Sequence, residues 1–171
     1  RASRLLSLIE RERDALCAGS LQLLARVVGR CLRIKAAVVE EDERESGLRM
    51  ILNFGHTLAH GIEAARCYGR LLHGEAVSVG MVFAARLGEK LGITQDGTAV
   101  RLEKLISSFG LPVHLRDLPC SRILIAMSRD KKRGPAGLRW VFLAKLGEAI
   151  IRDDVKPGAW RAELKKFIQG K

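Results

Sequence analysis

Hydrophobic residues recur along most of the chain at intervals of three and four, which is the spacing of one face of an α-helix. This spacing predicts helices at residues 3–17, 21–39, 49–63, 73–91, 95–109, 119–130 and 157–169. Two short apolar runs, 138–144 and 149–152, flank a turn and predict a β-hairpin. The expected fold is therefore mainly α: a bundle-like helical domain with one small hairpin, which spans residues 1–171 as a single unit.

The composition is that of a globular domain. Of the 171 residues, 47% are hydrophobic and 29% are charged, so a sizeable core can form. No apolar run is long enough to span a bilayer, and no signal-peptide pattern follows the first residue. The four cysteines lie far apart without a CxxC pair, which favours free thiols over disulfides. These features predict a cytoplasmic protein that does not enter a membrane.

The net charge of +11 raises the question of a polyanionic partner. Residues 129–171 alone hold twelve Lys and Arg against five Asp and Glu, but these charges are spread over several predicted elements. The sequence contains no RNP motif, zinc finger or aromatic stacking platform. The charge therefore favours a small anionic substrate over a nucleic acid.

Three of the four histidines lie in one stretch, residues 49–75, where an amphipathic helix would normally be apolar. His56 and His60 are four residues apart and share a helix face, and Arg49 and Asn53 precede them on that face. His73 follows a predicted turn and begins the next helix, from which it can fold back toward the first pair. Two or three neutral imidazoles that converge in this way suit Zn²⁺.

Spacing alone leaves other interpretations open. A single histidine on a helix is more often structural, and an HxxxH pair also arises by chance. Thr57 follows His56, so the general base of an HExxH zinc protease is absent. Lys35 lies beside an apolar stripe and is equally explained as a surface lysine, and the acidic run 40–45 as a solvated loop.

Longer stretches of this region resemble the C-terminal half of the 3-dehydroquinate synthase family. The matching stretches are KAAVVEEDERESGLRMILNFGHTLAHGIE, YGRLLHGEAVSVGMVFAARLGEKLG, FGLP and RDKK. In order and spacing they cover most of residues 31–147. The resemblance implies the helical domain of that family, which packs against an N-terminal NAD-binding α/β domain. No strand–GxGxxG–helix unit is present, so that NAD-binding domain is absent from these residues.

The resemblance also implies an activity. Members of the family are carbon–oxygen lyases of the shikimate pathway, on the route to chorismate and the aromatic amino acids. They convert 3-deoxy-D-arabino-heptulosonate 7-phosphate into 3-dehydroquinate and phosphate, using NAD and one divalent metal, usually Zn²⁺ and in some cases Co²⁺. The chain by itself is expected to be inactive, because it lacks the NAD-binding half.

The family motifs assign a role to individual residues of this chain. The resemblance makes His56 and His73 metal ligands. It makes His60, Lys35 and Glu45 the catalytic residues. It assigns substrate binding to Arg49, Asn53, Lys131 and Lys132.

Two departures from the family pattern stand out. Ala59 occupies a position that is usually glycine, and Gly61 one that is usually alanine, a change that costs the helix about 1 kcal/mol of propensity. The third metal ligand of the family, a glutamate, and a pocket lysine belong to a segment before residue 1. The chain therefore carries two of the three expected ligands.

Two alternatives to the heptulosonate reaction remain. One is a related sugar-phosphate cyclase acting on sedoheptulose 7-phosphate, in which the Arg49, Asn53 and His60 part of the motif would be altered. The other is a non-catalytic relic domain. The partners expected from the resemblance are a phosphorylated sugar acid, an N-terminal NAD-binding domain or complementary chain, and a second copy in a homodimer.

Overall fold

A computed structural model describes residues 3–44, 47–65, 71–115, 118–129, 133–134 and 137–169. Over these residues the fold is mainly α, as the hydrophobic spacing predicts. In chain order the elements are α1 (Ser3–Arg11), α2 (Arg13–Cys17), α3 (Leu21–Glu41), a 3₁₀-helix (Leu48–Asn53), α4 (His56–Ala65), α5 (His73–Lys90), α6 (Thr98–Ser108), α7 (Cys120–Arg129), β1 (Arg133–Gly134), β2 (Gly137–Leu138), β3 (Trp140–Lys145), β4 (Glu148–Arg152) and α8 (Pro157–Ile168).

The core lies around α5. More than half of the residues of this helix are buried, and it packs against α4, α6, α8 and β3. The core consists mainly of large side chains that are almost fully shielded from solvent: Leu58, Ile62, Phe83, Leu87, Ile123, Met127, Trp140, Phe142 and Leu164. The aromatic rings meet inside this cluster, where Phe83 lies 5.9 Å from Trp140 and 5.4 Å from Phe167, measured between ring centres.

The predicted β-hairpin is present as the antiparallel pair of β3 and β4. Trp140 pairs with Arg152 and Val141 with Ile151, and Gly147 turns the chain with a φ of +90°. A second antiparallel pair, β1 with β2, lies in the segment that the sequence treats as a basic loop. Each of its strands has two residues, too few for an alternating hydrophobic pattern to reveal.

The prediction of one helix over residues 49–63 is wrong. The chain instead forms the 3₁₀-helix, bends at Gly55 with a φ of +85°, and begins α4 at His56. The bend packs directly on α5, since a Cβ added to Gly80 would collide with the carbonyl oxygen of Gly55. Two glycines thus let the backbones touch, and this long-range contact overrides the local helical spacing.

The remaining boundaries agree with the sequence to within a few residues. The predicted helix at 3–17 is divided into α1 and α2 near Glu12. Ser20 precedes α3 as expected, but its side chain makes no capping hydrogen bond. Among the described residues, none of the helices is long and apolar enough to cross a bilayer.

Candidate functional site

Three histidines meet where α4 and α5 begin. His56 is the first residue of α4 and His73 the first of α5, and their ring centres lie 5.2 Å apart. The ring of His60, one turn further along α4, lies 5.7 Å from that of His56. His73 therefore folds back onto His56, as the sequence predicts, and the structure brings the three rings together.

Local capping sets where α5 starts and hence where His73 lies. The carboxylate of Glu75 accepts the backbone N–H of Leu72 at 2.8 Å, which satisfies one of the free donors that precede the helix. A negative charge in the first turn also complements the helix dipole. The HGE sequence thus begins the helix at the histidine and leaves its ring half-exposed beside α4.

Both predicted metal ligands have a protein acceptor at Nδ1. Nδ1 of His73 lies 2.9 Å from Oε1 of Glu63, and Nδ1 of His56 lies 3.4 Å from the carbonyl oxygen of Phe54. A carboxylate and a carbonyl can only accept, so the contact of His73 places the imidazole proton on Nδ1. The longer contact of His56 favours the same tautomer, in which the lone pair of the ring lies on Nε2.

The spacing of the two rings fits a shared ion. Two imidazoles bound to one tetrahedral Zn²⁺ at about 2.1 Å have ring centres roughly 5 Å apart, close to the 5.2 Å between His56 and His73. Among the described residues, no group of three or more His, Cys, Asp or Glu is arranged to hold a metal. Two histidines are fewer than the three protein ligands that a catalytic Zn²⁺ usually has.

The acidic run at 40–45 is more than the solvated loop that the sequence suggests. Asp42 is 7% exposed, and its Oδ2 accepts the backbone N–H groups of Gly47 and Arg49, each at 2.9 Å. These bonds hold the start of the 3₁₀-helix against the end of α3. Sequence reasoning missed this role, and its only local signal is that aspartate commonly accepts backbone N–H groups in turns.

Arg49 and Asn53 lie on the 3₁₀-helix, not on the helix of the histidines. The guanidinium of Arg49 donates from Nη1 to the carbonyl oxygen of Glu43 at 3.2 Å, and Asn53 ends the 3₁₀-helix half-buried. Lys35 is exposed on α3, the helix that packs against this 3₁₀-helix. The three residues thus come from two adjoining elements near the start of α4. Their roles in substrate binding and catalysis stay predictions.

Three predicted site residues, Glu45, Lys131 and Lys132, lie outside the part of the chain that the structure describes. Their assigned roles therefore also stay predictions.

Arg139 is a cation near the site that no sequence motif marks. Its carbonyl oxygen accepts the hydroxyl of Thr57 at 3.1 Å, and its Nη1 lies 3.6 Å from the sulfur of Met50 on the 3₁₀-helix. The exposed guanidinium therefore adds positive charge beside the 3₁₀-helix that carries Arg49 and Asn53. Only the packing of the β3 region against α4 and the 3₁₀-helix brings it there.

The unusual glycine of α4 has a packing reason. Gly61 is buried, and a Cβ at this position would lie 2.5 Å from Cγ of Met127 on α7. The missing methyl group therefore lets α7 approach the helix that carries His56 and His60. Ala59, two residues earlier, is fully buried.

Comparison with known proteins identifies relatives of this chain. Residues 1–133 match the family model described as 3-dehydroquinate synthase C-terminal. The 3-dehydroquinate synthase of Dehalococcoides mccartyi (strain CBDB1) is 41% identical over 154 residues, which are 90% of this chain and 43% of the relative. The chain thus spans less than half the length of this curated relative.

Solved structures of similar fold are sugar-phosphate cyclases. A 2-deoxy-scyllo-inosose synthase, crystallised with carbaglucose-6-phosphate, NAD⁺ and Co²⁺, superposes with a TM-score of 0.72 at 25% identity, over 86% of this chain and 42% of that chain. ValA, a 2-epi-5-epi-valiolone synthase from Streptomyces hygroscopicus subsp. jinggangensis 5008 with NAD⁺ and Zn²⁺ bound, gives 0.77 at 22% identity, over 100% of this chain and 48% of that chain.

Proposed function

Because the chain belongs to the 3-dehydroquinate synthase family, matching its C-terminal domain, we propose that it is the metal- and substrate-binding half of a 3-dehydroquinate synthase. The reaction is the conversion of 3-deoxy-D-arabino-heptulosonate 7-phosphate into 3-dehydroquinate and phosphate. The observation that carries the proposal is the approach of His56 and His73, whose ring centres lie 5.2 Å apart at the adjoining ends of two buried helices.

His56 and His73 would hold the divalent metal through their Nε2 atoms, with Zn²⁺ or Co²⁺ as the ion. A dication bound there would act as a Lewis acid toward the substrate hydroxyls. A third ligand would come from outside this domain, since the Dehalococcoides mccartyi relative is more than twice as long as this chain. Phe54 and Glu63, at the Nδ1 atoms, would keep the two rings in the tautomer that binds metal.

The positive side chains would bind the two anionic groups of the substrate. Arg49 and Lys35 lie on adjoining elements, and Lys131 or Lys132 would complete the anion site. Cations of this kind offset the cost of removing a carboxylate and a phosphate from water. Asn53 can donate and accept hydrogen bonds toward the substrate hydroxyls.

His60 would serve the phosphate-elimination side of the site. Its ring lies beside His56 but further into α4, where a substrate held by the metal could reach it. Glu45 would be the acidic residue among the three catalytic residues, with His60 and Lys35. The phosphate of the substrate can carry much of the proton transfer itself, so few protein bases are needed.

NAD would be held by an N-terminal half, part of the same polypeptide or a complementary chain. The reaction begins with hydride transfer, which requires the nicotinamide at contact distance from the substrate carbon. We therefore expect these 171 residues to show no turnover without that half. A cytoplasmic location and a homodimer belong to the same proposal, and both rest on the sequence resemblance.

A sedoheptulose 7-phosphate cyclase is the second candidate. The fold is shared with synthases of other products, ValA and 2-deoxy-scyllo-inosose synthase, so the fold alone does not select the heptulosonate substrate. The higher identity to a 3-dehydroquinate synthase, 41% against 25% and 22%, favours the heptulosonate substrate. Arg49, Asn53 and His60 also keep the identities that this family requires.

Zinc titration of histidine variants tests the metal site. We expect His56→Ala and His73→Ala to abolish Zn²⁺ binding, while His60→Ala retains it. His114→Ala is the matched control, because His114 pairs with Glu103 away from the other three histidines. Loss of binding in His60→Ala together with retention in His73→Ala would contradict the ligand assignment.

Phosphate release separates a catalytic half from a relic. The chain alone, with NAD, Zn²⁺ and the heptulosonate substrate, should release none. Mixing with the N-terminal half of the Dehalococcoides mccartyi relative should restore release if the halves associate, and the sedoheptulose phosphate substrate should remain unreactive. Association without any release would favour the relic.

A further inference from the structure

Glu63 occupies a position that the sequence analysis did not mark. It lies seven residues after His56, two turns along α4, and therefore on the same face of that helix. Helix α4 packs against α5 in the most extensive contact between described elements. Glu63 reaches across this contact to Nδ1 of His73, with an Oε1–Nδ1 distance of 2.9 Å.

Stability does not account for this pair. The side chain of His73 is 56% exposed and that of Glu63 is 36% exposed. Exposed pairs of this kind contribute little to stability, so the fold does not depend on the contact. Its main effect is on the histidine ring, whose rotation and tautomer it restricts.

We propose that Glu63 is a positioning residue that holds His73 as the Nδ1–H tautomer and directs its Nε2 toward the metal. This inference rests on the proposed metal-binding function. A carboxylate that accepts from Nδ1 leaves the lone pair on Nε2. The two ring nitrogens point in different directions, so Glu63 lies on the side of the ring away from a metal at Nε2.

His56 has a similar but weaker support. Its Nδ1 faces the carbonyl oxygen of Phe54 at 3.4 Å, which is longer than an ordinary hydrogen bond. The carbonyl belongs to the backbone just before the Gly55 bend, so the fold supplies it without a side chain. His73 begins α5 and receives its acceptor from another helix. Of the two acceptors, only the carboxylate of Glu63 belongs to a side chain, so it is the one that a substitution can remove.

Nitrogen-15 NMR of the metal-free chain tests the tautomer directly. At about pH 8.5, where free imidazole is neutral, His73 should show Nδ1–H in the native chain and a mixture of tautomers in Glu63→Ala. Glu63→Gln keeps an acceptor oxygen and should restore Nδ1–H. His56 should remain unchanged in both variants. A native His73 with its proton on Nε2, or one unaffected by Glu63→Ala, overturns the proposal.

A double-mutant cycle on Zn²⁺ affinity separates positioning from direct ligation. We expect Glu63→Ala to weaken binding by about 10- to 100-fold, the usual effect of removing such a partner. His73→Ala should leave no Zn²⁺ binding for Glu63→Ala to reduce, because Glu63 acts through that ring. Residual binding in His73→Ala that Glu63→Ala then removes would mean that Glu63 binds the metal itself and would overturn the proposal.

Glu163→Gln is the matched control for the affinity series. Glu163 also pairs through a carboxylate, with Lys90 at 2.6 Å, but on α8 and away from the histidines. Its substitution should leave Zn²⁺ affinity unchanged. If the native chain binds no Zn²⁺, the metal part of the proposed function fails, while the tautomer measurement still decides the role of Glu63.

Discussion

Helices α5 and α3 are the two longest described helices, with 18 and 21 residues, and both have apolar residues at helical spacing. More than half of α5 is buried, whereas Val38 is the only buried residue of α3. The apolar residues of α3 are exposed at intervals of three and four: Leu21 at 82%, Leu24 at 38%, Val28 at 53% and Leu32 at 61%.

This difference between α5 and α3 shows how much structural information hydrophobic spacing carries. Spacing identifies the face of a helix that can be buried, but the elements that cover this face come from elsewhere in the chain. α5 is surrounded by α4, α6, α8 and β3, and Gly80 permits direct backbone contact with Gly55. The predicted site draws on both kinds of helix, since His73 begins α5 and Lys35 lies on α3.

Truncation of a large side chain in each helix should give the largest contrast. Phe83→Ala in α5 removes a fully buried ring that contacts two other aromatic rings. We expect a loss of about 3–5 kcal/mol in the free energy of unfolding. Leu32→Ala in α3 should change it by less than about 0.5 kcal/mol. Urea denaturation measures both, and equal losses would contradict the contrast.

A methyl group on a glycine of α5 should have the next largest effect. Gly80→Ala places a Cβ against the backbone of Gly55, so the bend and the helix must separate. We expect destabilisation by about 1–3 kcal/mol. Gly74→Ala on the same helix meets nothing within 4 Å and should be neutral or stabilising by up to about 1 kcal/mol. Thermal unfolding of the pair checks this, and a harmless Gly80→Ala would show that the backbones are not in contact.

Gly61→Ala tests packing against helix propensity in α4. The added methyl group would lie 2.5 Å from Cγ of the buried Met127, and we expect a net loss of about 1 kcal/mol after the gain in propensity. With Met127→Ala the overlap disappears, and the same change should become stabilising by up to about 1 kcal/mol. A double-mutant cycle in urea measures this reversal. The same sign in both backgrounds would contradict it.

Thiol labelling should report the contrast without altering stability. Cys31 on α3 is exposed, whereas Cys120 at the start of α7 is partly buried. Burial raises the pKa of the Cys120 thiol, and the nearby Lys165 only partly opposes this effect. Less thiolate is then present at a given pH, so Cys120 should react more slowly and require a higher pH. Peptide mass spectrometry after iodoacetamide treatment measures both rates, and faster labelling of Cys120 would contradict the expectation.

Much of the secondary structure follows from local signals. The boundaries of α5, α7 and α8 and the β3–β4 hairpin agree with the sequence within a few residues. Apolar periodicity and the turn glycines suffice there, because no long-range contact opposes the local preference. The division at Gly55 is different, because residues 49–63 keep a helical pattern across it.

The residues of the candidate site also fall into two groups, those that the sequence identifies and those that only the structure reveals. His56, His60 and His73 are identified from the sequence through their spacing and the family motif. Asp42, Glu63 and Arg139 are not, because each acts on a residue that another element brings close. A glutamate on the exposed side of a helix has no local feature that identifies the histidine it will meet.

Local sequence signals are sufficient to predict a mainly helical domain, its family and the histidines at its centre. Periodicity and motif spacing are local properties that any similar chain would share. The 5.2 Å between the rings of His73 and His56, the contact of Glu63 with His73 and the exposed apolar face of α3 arise only when the chain folds. These depend on how far apart packed elements come to lie, and close approaches such as that of Gly55 and Gly80 set this distance.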